Sequence, residues 1–178
     1  MEFFDVINNR YSYKQNFRSE TIPMEHLEKI ADAGLKAPTG NNSQCVSLII
    51  LDREALDGLC RVVSSPGLAT APAAIILFTD PSVQQGSVNF EVEDYAASTE
   101  AMLLAAVSYG YVSVWLDAIF FDSAIQKDAK KELGIPDHCH LRVALPIGFP
   151  EKEEKRRPKK AFEERESYNK FGISKSGD

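Results

Sequence analysis

The chain has 178 residues, close to one domain at roughly 150 residues per domain, with a modest tail left over. Its 44% hydrophobic and 10% aromatic content excludes a disordered or collagen-like protein. Twenty Lys and Arg against twenty-six Asp and Glu give a net charge of −6, the wrong sign for binding a phosphate backbone broadly, so no nucleic-acid partner is expected.

Glu2 to Asn9 reads as a short helix with Phe3, Phe4 and Ile7 on one face, stopped by the polar run Asn8-Asn9-Arg10. Met24 to Lys36 is a second helix. Pro23 suits its first turn, Leu27, Ile30 and Ala31 share a face, and Ala37-Pro38-Thr39-Gly40 ends it. Val46 to Leu51 is short, apolar and rich in branched residues, as a strand should be. Glu54 to Val63 follows as a helix closed by Ser64-Ser65-Pro66-Gly67, and Ala73 to Phe78 resembles a strand buried on both faces.

The loop from Thr79 to Phe90 leads into the longest helix, about Glu91 to Tyr109. There Val92, Tyr95, Ala96, Thr99, Leu103 and Ala106 recur at helical spacing, and several alanines permit close approach of another helix. Val112 to Leu116 is strand-like, Asp122 to Leu133 is a helix with a charged face, and Leu141 to Ile147 is a last strand. After Pro150 the composition changes: 14 of the 20 residues from Glu151 to Lys170 are charged. The expected organisation is a core over 1–150 and a charged arm over 151–178 that lies on a partner subunit.

The N-terminus does not read as a secretory signal, and neither Ala73 to Phe78 nor Ala101 to Val107 nears the roughly 20 apolar residues that span a bilayer. Cys45, Cys60 and Cys139 form no C-x-x-C pair and leave one over, which fits reduced thiols. A soluble cytoplasmic protein with no membrane partner is the expectation.

Two segments carry candidate chemistry. In Arg10-Tyr11-Ser12-Tyr13-Lys14, an extended backbone puts alternate residues on one side, so Arg10, Ser12 and Lys14 can converge on a phosphate or another electron-rich group. A solvated basic turn has the same composition. Ala37-Pro38-Thr39-Gly40-Asn41-Asn42-Ser43-Gln44 offers amide donors and acceptors suited to a heterocycle with alternating carbonyls and ring nitrogens, or simply a helix stop. His138-Cys139-His140 reads as a loop entering a strand, its alternation sending histidines and cysteine to opposite sides, so no metal is expected. Cys45 lacks any nucleophile setting, and no Walker loop, G-x-G-x-x-G or H-E-x-x-H occurs.

In order and spacing these segments resemble the nitroreductase family of flavin mononucleotide (FMN) enzymes. Arg10 to Lys14 is similar to its R-R-S-x-R/K motif. Ala37, Pro38, Thr39, Asn42 and Gln44 match its A-P-S-x-x-N-x-Q-P-W signature, from which Cys45 and Val46 depart. Glu93 to Ala106 looks like its central helix, and Gly110 to Trp115 like the strand behind the flavin. Leu133-Gly134-Ile135-Pro136, Pro146-Ile147-Gly148-Phe149-Pro150 and Arg156-Arg157-Pro158 resemble its later motifs.

The resemblance implies an α+β fold, a mostly antiparallel sheet flanked by helices, with the C-terminal arm exchanged in a homodimer that holds flavin at its interface. By matching positions, Arg10 and Arg156 or Arg157 would hold the flavin phosphate, beside Tyr11 and Ser12, with Lys155 as a substitute cation where Glu154 stands. Lys14 would reach the N1/C2 carbonyl region, where reduced flavin is negative. Pro38, Thr39, Gly40, Asn42 and Gln44 would come from the other subunit. The Ala118 N–H would meet flavin N5, Asp117 beside it would belong to the cofactor set or else repel an anionic substrate, and Pro146, Ile147 and Gly148 would complete that set. The implied activity passes hydride from NADH or NADPH through FMN to nitroaromatics, quinones or similar small-molecule acceptors, with no catalytic acid assigned. A specialised family reaction (ene reduction, dehalogenation or flavin breakdown) and a non-catalytic flavin-binding redox sensor or carrier are the alternatives.

Overall fold

The computed structural model describes residues 1–154 and 156–175. Four strands set the frame: β1 (Val46–Leu51), β2 (Ala73–Thr79), β3 (Val112–Ser113) and β4 (His140–Gly148). They lie in the order β1-β2-β4-β3, and every neighbouring pair is antiparallel. Six α-helices surround them: α1 (Phe3–Asn9), α2 (Met24–Leu35), α3 (Arg53–Cys60), α4 (Pro66–Thr70), α5 (Glu91–Ser108) and α6 (Ser123–Leu133). The expected α+β architecture, an antiparallel sheet flanked by helices, is what forms.

Period-two alternation along β2 sorts the core into two layers. Ala73, Ile75 and Leu77 pack with Leu27, Ile30, Met102 and Leu103 of α2 and α5. Ala74 and Ile76 pack with Leu56, Leu59, Leu68 and Ala129 of α3, α4 and α6. Covering both faces is why β2 reads as an unbroken apolar run. In β4 the register slips between the Leu77–Val143 and Phe78–Leu141 pairs, leaving Arg142 as the extra residue of a β-bulge. Leu141 and Val143 therefore face opposite layers, although two residues apart they would ordinarily share one.

Local chemistry starts and stops the helices. Asp52 accepts the Ala55 N–H at 2.9 Å to open α3, and Asp122 accepts those of Ala124 and Ile125 to open α6. Gly134, at φ 67°, closes α6 in the left-handed region that glycine tolerates. The close approach expected of α5 is made at Gly34 on α2, where a Cβ would sit 2.6 Å from Met102 Cγ.

Several expectations need correction. Phe3, Phe4 and Ile7 form no buried face, since Val6 is the buried residue of α1. Ser64 to Gly67 does not simply end a helix: Pro66 sits in the first turn of α4, where its missing N–H costs nothing. The strand expected over Val112 to Leu116 is two residues long, followed by a single bridge from Leu116 to Ala144.

Gly148 ends β4 where a Cβ would meet Phe17 Cδ1 and Pro72 Cδ, each at 2.8 Å. Neither ring can swing aside freely. Gly148→Ala is expected to cost about 1–3 kcal/mol, read as a lower urea midpoint with an unchanged slope.

Candidate cofactor site

Beyond α1 the chain runs extended and is tied to the sheet edge. Ser12 forms a parallel bridge with Ser113, and the Tyr13 N–H donates to Ser113 O at 3.0 Å. Alternation then turns Tyr13 inward, fully buried, while Arg10, Ser12 and Lys14 face out. The Tyr13 hydroxyl donates to Asn16 O at 2.5 Å and accepts the Glu151 N–H at 3.0 Å. Phe17 bridges to Pro150 beside it. These contacts dock the start of the arm on its own chain and bring Glu154, Arg156, Arg157 and Lys159 opposite Arg10, Ser12 and Lys14. The result is a cleft of about 610 Å³, floored by Ile7 and Tyr11.

Among the described residues, five cations and two carboxylates line that cleft. Arg10 Nε lies 3.3 Å from Glu100 Oε1 on α5. Arg156 donates to Asn8 O at 2.9 Å and Asn9 Oδ1 at 3.1 Å, with its guanidinium 4.9 Å above the Tyr11 ring. Both contacts cap the C-terminal end of α1. Burial pushes the Tyr11 phenol up, so it stays neutral at physiological pH. Glu154 accepts the Lys14 backbone N–H at 2.8 Å. Among the described residues, no carboxylate pairs with the side chains of Lys14, Arg157 or Lys159, which are left to face an anion.

The second predicted segment folds elsewhere. Asn41, Asn42 and Gln44 hold φ of 53°, 55° and 52°, an unusual run of left-handed non-glycine residues. Asp94, in the first turn of α5, holds them there. Its buried carboxylate accepts from Gly40 N at 2.7 Å, Ser43 Oγ at 3.1 Å and Cys45 Sγ at 3.3 Å. The Gln44 N–H donates to Thr39 Oγ1 at 3.1 Å, and a Cβ on Gly40 would lie 2.3 Å from the Phe90 ring. Pro38, Asn42 and Gln44 stay exposed, and residues 38–44 do not line their own chain's cleft. Burial and the adjacent Asp94 push the Cys45 thiol up to about 11, so it is no nucleophile.

The remaining expected site residues do not line the cleft. Asp117 Oδ1 accepts the Ala118 N–H at 2.7 Å, so the donor assigned to flavin N5 is engaged in a helical cap. Pro146 pairs with Ala74, Ile147 with Ala73 and Ser113, and Gly148 with Val112. They carry β3 and, through it, Ser12. Lys155 lies outside the described residues. Glu100, Lys159 and Asp94 were not foreseen. An acid one helical face away from an arginine gives no signal until α5 and α1 are packed.

The Nitroreductase family description matches residues 7–65, which span the Arg10 to Lys14 segment and the 38–44 loop. An Archaeoglobus fulgidus protein named "Putative NADH dehydrogenase/NAD(P)H nitroreductase" is 32% identical over 139 residues, covering 77% of this chain and 79% of its own. The crystal structure of "Putative NADH Oxidase" from Clostridium acetobutylicum superimposes with a TM-score of 0.80 at 30% identity, over 94% of this chain and 100% of that one. One from Desulfovibrio desulfuricans, "a putative nitroreductase in complex with FMN", shares the fold at 22% identity and a TM-score of 0.76, over 89% and 92% of the two chains. The chain belongs to the nitroreductase family of oxidoreductases.

Proposed function

We propose that the cleft binds FMN and that the protein is an NAD(P)H-dependent reductase of nitroaromatics, quinones or similar electron-poor small molecules. The observation that carries this reading is the convergence of Arg10, Ser12 and Lys14 with Arg157 and Lys159 in one cleft. A volume of about 610 Å³ and an excess of cations suit a phosphate-bearing cofactor. The FMN in the Desulfovibrio relative supports the choice of ligand.

Bound FMN would supply a two-electron centre that accepts hydride from NADH or NADPH and gives it to the acceptor. On the arm, Arg157 and Lys159 have no carboxylate partner among the described residues and are the cations for the phosphate dianion, whereas both bonded faces of Arg156 are committed to α1. The Arg156 contacts hold the arm in place and so position Arg157. Ser12 offers a hydroxyl at the same wall, and Lys14 places an ammonium where reduction creates negative charge.

In this reading the protein works as a homodimer, with Pro38, Thr39, Gly40, Asn42 and Gln44 of one copy completing the cleft of the other. The left-handed loop, rigidly held by Asp94 yet facing solvent, supports that role. Exposed Phe3, Phe4, Phe162 and Phe171 supply apolar surface for the contact. No helix of the described residues is long and apolar enough to cross a membrane, and the three free cysteines suit a reducing cytoplasm.

Anaerobic titration of flavin-supplemented protein with NADH and then NADPH tests the proposal. Bleaching of bound flavin at stoichiometric reductant is expected. Bound flavin that neither donor bleaches would favour a sensor or carrier instead. Lys14→Ala is expected to lower the potential of bound FMN while leaving the protein folded, read by equilibration with reference dyes. An unchanged potential removes Lys14 from that role.

A further inference from the structure

We propose that Asp80, His138 and Cys139 form a site for a borderline divalent transition metal, with zinc the best match, in which the buried Cys139 thiol lies beneath the exposed His138. Their ligating atoms lie within 4.8 Å of one another. His138 Nε2 stands 3.6 Å from Cys139 Sγ and 3.6 Å from Asp80 Oδ2, so the alternation expected to part histidine from cysteine fails at His138, which precedes the start of β4 at His140. Zinc holds sulfur at ~2.3 Å and nitrogen or oxygen at ~2.0–2.2 Å, so tetrahedral ligand atoms sit roughly 3.4–3.6 Å apart. Two of the three edges already have coordination spacing.

The sheet creates this juxtaposition. Thr79 pairs with His140, so the next residue of one strand and the preceding residue of the other, Asp80 and Cys139, emerge side by side. Asp80 Oδ1 accepts from Ser82 N at 2.8 Å and Ser82 Oγ at 2.6 Å, which fixes the carboxylate with Oδ2 toward His138. The Asp80 N–H donates to Cys45 O at 2.8 Å, and the Cys139 N–H to Pro136 O at 3.1 Å. Lys130 Nζ holds Asp137 O at 2.7 Å, bracing the same turn. Such support is what keeps first ligands in register. His140 takes no part, because its Nδ1 lies 2.9 Å from Glu91 Oε1.

A thiolate, an imidazole and one carboxylate select zinc over magnesium or calcium, which require more oxygens. His138 is 57% exposed, so water reaches the fourth position. On binding, the Cys139 S–H bond breaks, a sulfur–metal bond forms, and the proton passes to solvent. Affinity therefore falls as pH falls. None of the three ligands lines the cofactor cleft, so the site stands whether or not flavin is the cofactor. Its effect is to clip the exit of β2 to the entry of β4, and occupancy stabilises the folded chain.

Cobalt(II) titrated into the full-length protein tests the site. One equivalent is expected to produce a thiolate-to-cobalt charge-transfer absorption that zinc displaces. The band should vanish in Cys139→Ser, with affinity lowered at least about tenfold in Asp80→Asn and His138→Gln. Zinc should raise the melting temperature of the parent protein and leave His138→Gln unchanged. No band in protein with a native circular dichroism spectrum overturns the proposal, as does a band that survives in Cys139→Ser or at full affinity in His138→Gln. Because His138 is more than half exposed, its variant keeps the test decisive should Cys139→Ser fail to fold.

Discussion

Arg10→Ala is expected to weaken FMN binding by about 10- to 100-fold at low ionic strength, the worth of a charge-assisted hydrogen bond of about 1.5–3 kcal/mol. Two effects act in the same direction. The guanidinium facing the cleft is lost, and Glu100, 3.3 Å from it in the parent, is left bare against an incoming dianion. The Arg10–Glu100 pair itself is no obstacle to the cofactor, because Glu100 is half exposed and such pairs contribute roughly 0–1 kcal/mol. Quenching of flavin fluorescence at two salt concentrations gives the readout, and the gap between variant and parent should narrow at high salt. Glu100→Gln should move affinity the other way. Equal affinity in Arg10→Ala and parent at low salt would place the phosphate elsewhere.

The second large effect is on stability. Glu91 is 2% exposed and accepts from Thr79 Oγ1 at 2.5 Å and from Asn89 Nδ2, His140 Nδ1 and Arg142 Nη2, each at 2.9 Å. Arg142 reaches it because the β4 bulge turns that residue out of the alternation, and its guanidinium also lies 5.3 Å from the Tyr95 ring centroid. Burial opposes ionisation of Glu91, but the hydrogen bonds from Thr79, Asn89, His140 and Arg142 outweigh it and hold the carboxyl at about 2. Glu91→Ala is expected to cost about 3–5 kcal/mol, since it strands Arg142 and Thr79 without their acceptor. Urea denaturation measures this directly.

The same group gives a pH dependence of definite sign. A carboxyl with an ordinary value of 4.5 that is held at about 2 in the folded state stabilises folding above 4.5. That contribution, on the order of 3 kcal/mol, is lost as pH falls from 4.5 toward 2. Glu91→Gln should flatten the stability profile across this window. A profile as steep as the parent's would mean that other carboxylates dominate acid unfolding.

Elements whose signal is local were legible. Val46–Leu51 is the strand its branched apolar run announces, and α5 spans the segment whose apolar residues recur at helical spacing. Pro66 was ambiguous in one dimension, because proline both ends one helix and opens the next. The two-residue length of β3 depends on pairing with β4, which no local pattern encodes. For the site, the alternation of Arg10, Ser12 and Lys14 was readable because an extended backbone sends every second residue to one side, with Tyr13 buried on the other. The opposite wall was visible only as a basic cluster in a charged arm. Glu100 and the grip of Asp94 on residues 40–45 are long-range contacts that appear only when α5 is packed, and Lys159 reaches the cleft only when the arm docks. Asp80 joins His138 and Cys139 in the same way, through strand register rather than spacing in the chain.

The wall of the cleft built by Arg156 stands 148 positions along the chain from its contact at Asn8. A ribosome delivers the first wall before any strand of the sheet and the second only after the last. The β1, β2 and β4 pairings and both core layers can assemble in the interval, but nothing before Glu154 can close around a phosphate. On the proposed function, cofactor capture therefore follows assembly of the sheet, and a nascent chain stalled short of the arm carries half an anion site.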